Sequence, residues 1–418
     1  MSRTCSAPPS FHPWSRANPV DIIGDAPGER YAKALSEAEA ARFRTCLQRA
    51  GPAAQTICRE TIEEIDHAPK FGGRNLSPVL HNPYRKHGMT KPANRGPSGF
   101  VRLRMLVSAL FLLFGGPAHA ESTLRVGHFP NITHIQALVA HNLSRQGKGW
   151  FEQRLGPGVT VHWFVYNAGP SAMEAIFAST IDLTYVGPNP AINAYAKSRG
   201  EEVRIIAGAV NGGAALIVQP DLQLRTAADF RGRKIATPQL GNTQDVAARA
   251  WLAAGGLKIT QTGGDAQVLP TANPDQLALF KTKQLDAVWT VEPWVSRLET
   301  EAGGKVLLEQ QEAITTVLVS SVKALASNRE LLRKFAPAHE ELTEWIRANP
   351  EEAQRLAREE LAAETHATIS ADLVARAWKR IVPTSEIARD ALEKFLKSAQ
   401  SVGFLRDAPD LSRLVETP

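Results

Sequence analysis

Residues Val126–Ala140 read "VGHFPNITHIQALVA". Ahead of the turn, "TLRVGHF" over 123–129 is a short apolar run of β type. Behind it, Ile135, Leu138, Val139 and Leu143 recur at i, i+3, i+4 and i+8, the period of one helix face. The stretch therefore predicts strand, turn, helix. Two histidines, His128 and His134, bracket the Phe-Pro-Asn turn, so it is either a metal or catalytic site or a loop shaped to hold something unchanged.

The same unit recurs downstream. "TVHWFVYN" (160–167) precedes a helical pattern through Met173, Ile176 and Phe177, and "IDLTYVG" (181–187) precedes one over 190–198. "VRIIAGAV" and "AALIVQP" follow, separated only by Asn-Gly-Gly. "KIATP", "QVLPT" and "LDAVWTV" then each lead into a helix, through Trp251 and Leu252, Leu277 and Phe280, and Trp294 to Leu298. Strand–helix alternation predicts an α/β fold of mainly parallel sheets flanked by helices. From Asn328 to Ser401 the chain is almost all helical, and "EEAQRLAREELAAE" within it reads as a solvated face.

The strand–helix junctions share one chemistry. Thr133 with Gln136 and Ser171 with Glu174 have capping-box spacing. Asn189, Asn273 and Glu292 each precede a proline suited to a helix's first turn, and Asn242 stands as a cap after "TPQLG". Several helix N-termini are thus expected just beyond the carboxyl ends of parallel strands, the edge where open α/β sheets bind ligands. Unpaired N–H groups and the positive dipole end there favour anions. No Lys or Arg lies between strand end and cap, so a ligand would be held by dipoles, amides, hydroxyls and imidazole.

Charge and cysteine divide the chain in one place. The first 120 of 418 residues carry 16 basic and 9 acidic residues, the rest 32 and 33, so the body has no basic excess for a nucleic-acid backbone. Cys5, Cys46 and Cys58 all precede that division, and a thiol-free body is compatible with an oxidising compartment. At the boundary, "RLRMLVSALFLLFGGPAHAES" has a positive flank at Arg102 and Arg104, an apolar core over Met105–Phe114 and an Ala-His-Ala site before Glu121. That is the pattern of a secretory signal peptide over 101–120, cleaved near Ala120/Glu121, and the core is too short to cross a bilayer. Residues 1–100 read as an upstream extension, disordered or ahead of a true start at Met89, Val101 or Met105.

"LRVGHFPNITHIQALVA", "YNAGPSAMEAIFASTIDLTYVGPNPAI", "IAGAVNGGAALIV", "RGRKIATPQLGNTQD" and "AVWTVEPWVSRL", in that order over about 121–418, resemble the nitrate/sulfonate/taurine family of ABC-transporter periplasmic substrate-binding proteins, closest to the aliphatic-sulfonate binders. The resemblance implies a two-lobed periplasmic binding protein type II fold. Lobe 1 would be 123–220 with 314–418, and lobe 2 would be 221–313, between the strand-like runs "AALIVQP" and "TTVLVSS". It implies a periplasmic, monomeric receptor that captures a small anion, an aliphatic sulfonate or similar, and delivers it to a membrane permease. The chain has no Walker A sequence, so a separate ATPase subunit would supply the energy. Nitrate, bicarbonate, taurine and a pyrimidine-type molecule are alternative ligands.

The ligand contacts implied are His128, Phe129, Asn131 and Thr133 after the first strand, Gly169 and Ser171 after the second, and Gly187 and Asn189 after the third. Asn211 lies near the crossover, and lobe 2 contributes Gly241, Asn242, Thr243, Gln244, Trp289, Glu292 and Trp294. Glu292 is an awkward partner for an anion; it fits a cap, a lobe–lobe bond or the ammonium of a taurine-like ligand. Catalysis is not expected. An enzyme of the thiamine-pyrimidine type is the rival, but His128 with Ser171 or Thr133 has no third member and no nucleophile elbow. Neither cofactor nor metal is expected, since no nearby carboxylate or thiol completes a ligand set for His128, His134 and His141.

Overall fold

Strand β1 (Ser122–His128) lies between β2 (Val159–Val165) and β3 (Leu183–Val186), parallel to both. A computed structural model describes residues 122–418; the upstream extension and the signal peptide lie outside the described residues. With β4 (Val203–Gly212), β10 (Ile314–Ser321) and β11 (Ile381–Pro383), these strands form a six-stranded sheet ordered β11-β4-β10-β3-β1-β2. The second sheet, β7-β6-β8-β5-β9, is built from β5 (Ala214–Val218), β6 (Lys234–Thr237), β7 (Gln267–Pro270), β8 (Ala287–Val291) and β9 (Lys305–Gln310).

The pairing directions explain the two-lobed plan. In the second sheet β5 is antiparallel to both neighbours, and in the first β10 is antiparallel to β3 and β4. These strands carry the chain between lobes. A chain that crosses at the edge where parallel strands end must enter the next sheet from that edge, and so runs against it. Both sheets therefore present their carboxyl ends to one interlobe cleft. The chain has the mixed α/β, two-lobed periplasmic binding protein fold with a helical C-terminal region.

One boundary differs from expectation. The first crossover falls at Gly212–Gly213 rather than at 220, because "AALIV" pairs with β8 and β9 and belongs to lobe 2. Both glycines have positive φ, +74° and +75°, and a Cβ on Gly213 would lie 2.9 Å from Thr133 Cγ2. A conformation rarely open to L side chains lets the chain reverse there.

Helices cover both faces of each sheet, which is why β3, β8 and β10 are buried along their whole length. A 3-10 turn over Ile132–His134 feeds α1 (Ile135–Arg145), followed by α2 (Trp150–Leu155), α3 (Gly169–Phe177) and α4 (Pro188–Lys197). Lobe 2 holds α5 (Thr243–Ala254), α6 (Asn273–Lys281) and α7 (Trp294–Ala302). The tail comprises α8 (Val322–Ser327), α9 (Arg329–Ala348), α10 (Pro350–Thr365), α11 (Ala371–Trp378) and α12 (Arg389–Ser401).

The tail is part of lobe 1's core. Phe335, Leu342, Leu356 and Leu361 pack with Leu138 and Phe151, and Phe335 stacks on Phe151 at 4.0 Å. Leu392 and Leu396 cover the other face beside Ile192 and Val317. Each such side chain contributes about 1.5–3 kcal/mol by leaving water. The "EEAQRLAREELAAE" segment is thus not simply a solvated face: Leu356, Ala357, Glu360 and Leu361 are buried. Its two inward carboxylates, one turn apart, have partners on α1 and β1 that lie more than 200 residues away in the chain.

Candidate functional site

The helix starts at the cleft edge are formed differently from their sequence spacing. Asn242 is a true cap: its side chain accepts from the Asp245 N–H. Ser171 instead lies inside α3, and Asn189 inside the first turn of α4, because those helices begin earlier, at Gly169 and Pro188. Their N-caps, Ala168 and Gly187, have no side-chain cap bond, and neither do the 3-10 turn after Asn131 or α1. Helix-start N–H groups at these junctions lack side-chain partners.

These junctions meet across the lobes around a cavity of about 30 Å³. Lobe 1 lines it with Phe129, Asn131, Thr133, His134, Asn167, Ala168, Gly169, Gly187, Pro190 and Thr315, and lobe 2 with Pro238, Asn242, Thr243, Gln244, Asn273 and Val291. No lysine, arginine or carboxylate is among them. The space admits only a few water-sized groups. The lobes touch around it: Ile132 N–H donates to Glu292 O at 3.0 Å, Trp294 Nε1–H to Asn131 Oδ1 at 3.1 Å, and Ser171 and Gln239 meet at 3.3 Å. A Cβ on Gly187 would lie 2.3 Å from Thr243 Oγ1, so only glycine permits that approach. Thr243 Oγ1 is itself buried without a hydrogen-bond partner.

Eight of the sixteen sequence-named contacts line this cavity: Phe129, Asn131, Thr133, Gly169, Gly187, Asn242, Thr243 and Gln244. The others are placed elsewhere. Asn189 turns to the tail, its Nδ2 donating to Phe395 O at 3.2 Å, and Asn211 is held in β4 between Ile314 and Val382. Ser171 contacts Gln239, and Gly241 lines a neighbouring surface groove while donating to Asp245 Oδ2 at 2.9 Å. Trp289 points into the lobe 2 core cluster and bonds Gln310, the strand's two-residue alternation turning Thr290 the other way, to Asn273. Trp294 bridges the lobes rather than lining the cavity.

Glu292 has no room for a ligand's ammonium. Fully buried, it accepts from Ser296 N–H and Oγ–H at the start of α7, and Arg380 of the tail meets it at 3.0 Å. Burial raises its carboxyl above the ordinary range, while Ser296 and Arg380 pull the other way. Arg380 also pairs with Glu299 at 3.0 Å and Glu309 at 3.4 Å, clasping the tail to lobe 2.

His128 and His134 part company at the turn. His134 lines the cavity, buried against Phe129 with ring centroids 4.3 Å apart. Burial holds its imidazole well below the ordinary value, with His128 adding to the effect and Glu364 opposing it. Its Nδ1 accepts from Phe129 N–H at 3.4 Å, so the neutral ring carries its proton on Nε2. His128 points to the other side, where it meets His141 and Glu364. Sequence spacing missed Asn167, Asn273 and Thr315 as lining residues. Asn273 stood at a recognised helix start, but Thr315 reaches the cleft only because β10 returns beside the crossover.

Residues 118–361 match the model of the NMT1-like family. A Brucella abortus protein named "Putative binding protein" is 24% identical over 238 residues, 55% of this chain and 69% of the relative. Among solved structures, the alkanesulfonate-binding protein SsuA from Xanthomonas axonopodis bound to MOPS superposes with TM-score 0.57 at 20% identity, over 71% of this chain and 97% of that one. The periplasmic nitrate-binding protein NrtA from Synechocystis does so with TM-score 0.54 at 15% identity, over 69% and 83%. At such identities the structural likeness speaks for the fold, and with the family match over most of the folded body, the chain belongs to the NMT1-like family.

Proposed function

We propose that this protein is the solute-binding receptor of an ABC importer, holding a small anion between its lobes without altering it. The observation that carries this reading is the uncharged cavity at helix starts, of which α5 alone has a side-chain cap. Three kinds of donor lie around it: the first-turn amides of α3 with the single N–H, that of Asn189, left between the two prolines opening α4; the unpartnered Thr243 hydroxyl; and the Nε2–H of a neutral His134. Oriented amides and hydroxyls can hold an oxyanion in a dry site without a fixed countercharge. The binding proteins among its relatives and fold neighbours support the reading, with an aliphatic sulfonate head group or nitrate as the ligand class.

Delivery to a permease driven by a separate ATPase, and a periplasmic location, belong to the same proposal. The binding proteins among its relatives and fold neighbours support a receptor rather than an enzyme. A thermal-shift screen over alkanesulfonates, taurine, nitrate, bicarbonate and pyrimidines tests it. At a hundredfold excess over Kd a true ligand adds about 2.7 kcal/mol of stability, a shift of several degrees. If no compound shifts the melting temperature, or if a hit is recovered chemically altered, the receptor reading fails.

A further inference from the structure

Behind the turn, on the side away from the cleft, three potential ligand atoms converge from distant parts of the chain. His128 Nε2 at the end of β1 lies 3.3 Å from His141 Nδ1 on α1, and Glu364 Oε1 on α10 lies 3.0 Å from each. Zinc–nitrogen and zinc–oxygen bonds of about 2.0–2.2 Å in a tetrahedron put neighbouring ligand atoms roughly 3.3–3.5 Å apart. The observed triangle is nearly one face of that tetrahedron. Among the described residues it is the one group of three or more His, Cys, Asp or Glu side chains with such convergence.

Two features separate this cluster from an ordinary ion-pair network. His128 Nδ1 faces its own loop's Phe129 O at 3.3 Å, and an N–H donated there leaves Nε2 as a lone pair pointing at a carboxylate and another imidazole. A carbonyl behind a ring nitrogen is the arrangement that orients metal-binding histidines. The second feature is Glu364 Oε2, which is buried with no hydrogen-bond partner although the side chain is only 1% exposed. A cation would satisfy all these acceptors at once. Glu360 completes the surroundings, its Oε1 2.8 Å from both His141 Nδ1 and Arg145 Nε. Trp163 closes the top, stacked on His141 at 5.4 Å and edge-on to His128 at 5.6 Å. Glu364 also lines a groove of about 380 Å³ bounded by Trp294 and Arg297 of lobe 2.

We infer that His128, His141 and Glu364 form a binding site for a divalent transition-metal ion, zinc by the chemistry of its ligands, which staples tail helix α10 to β1 and α1. Mixed imidazole and carboxylate donors select this class over magnesium or calcium. The site uses no residue that lines the cavity, and its place one residue behind Phe129 makes it a brace for the cavity wall.

The test uses the full chain without an affinity tag, stripped with a chelator and then titrated with zinc. Metal analysis after gel filtration is expected to find one equivalent bound, with a melting temperature raised by roughly 5 °C. Cobalt(II) in its place is expected to give the visible absorption of a tetrahedral site. Glu364→Gln, nearly isosteric, should lose the bound equivalent and the cobalt spectrum, whereas His162→Ala, at an exposed position outside the cluster, should keep both. Retention of the equivalent by E364Q, or a wild-type chain that binds no zinc and gives no cobalt spectrum, would overturn the site.

Discussion

The two sides of the Phe129–His134 turn are opposite solutions to burying polar groups. In front, the interlobe cavity contains amides, hydroxyls and one neutral imidazole, and no fixed charge lines it. Behind, a few residues away, two carboxylates face His128, His141 and Arg145 in a dry pocket under Trp163. Neutral donors can be left waiting for a ligand at modest cost. Buried charges need partners, supplied here by imidazoles, Arg145 and the proposed cation, because each unpaired ion costs several kcal/mol. The cleft is therefore free to bind and release, while the charged clusters, with the Arg380 clasp, hold elements of the fold together.

The largest effect that would sharpen this contrast is on the charged side. Arg380→Ala leaves Glu292 fully buried without its cation, and should lower unfolding stability in urea by about 3–5 kcal/mol. A loss below about 1 kcal/mol would mean that the clasp is as dispensable as an exposed ion pair.

A second expectation concerns a buried neutral imidazole of lobe 1. His339 lies on the buried face of α9 with Nδ1 accepting from Tyr185 Oη–H at 3.0 Å and Nε2–H donating to Gly208 O at 2.8 Å. Burial lowers it to about 4, the Gly208 carbonyl opposing. Because the folded value is depressed, the unfolded chain takes up the proton first. The contribution is complete above the unfolded value of about 6.5 and is lost as pH falls toward 4. Over that window stability should drop by on the order of 2–3 kcal/mol, and comparison of urea midpoints at both ends should show a shallower slope for His339→Gln. An unchanged slope in H339Q would assign the acid sensitivity to other groups.

The smallest effect on stability belongs to the cleft. Thr243→Val removes the unpartnered hydroxyl at nearly constant shape, so unfolding should move by less than about 0.5 kcal/mol. Affinity for any anion found by the thermal screen should fall about tenfold, measured by calorimetry. Unchanged affinity would place the ligand away from α5.

The repeated strand–helix units and the helix starts along one sheet edge were legible in the sequence, because they depend on residues near one another in the chain; the two-lobed plan and half of the cavity lining came from the family resemblance. Apolar period, proline and the Asn242 cap set where β1, α1 and α5 form, and the loops between them fall on one sheet edge by topology. Legibility stopped where local spacing had alternatives. Ser171 and Asn189 looked like caps, but α3 and α4 begin earlier and turn those side chains from the cavity. "AALIV" read as the end of lobe 1, and its pairing with β8 and β9 put it in lobe 2.

What the sequence determined by itself is thus the class of the fold and the loops that meet at the cleft, since hydrophobic period and turn chemistry act over a few residues. Tertiary structure alone decided which charges meet. His128 and His141 lacked a carboxylate on any nearby stretch, and Glu292 lacked a cation, until the tail delivered Glu360, Glu364 and Arg380. Those partners come from an amphipathic helical region whose pattern specifies only that one face is buried. Which buried charge meets which is set by the packing of whole elements, and that information is not local.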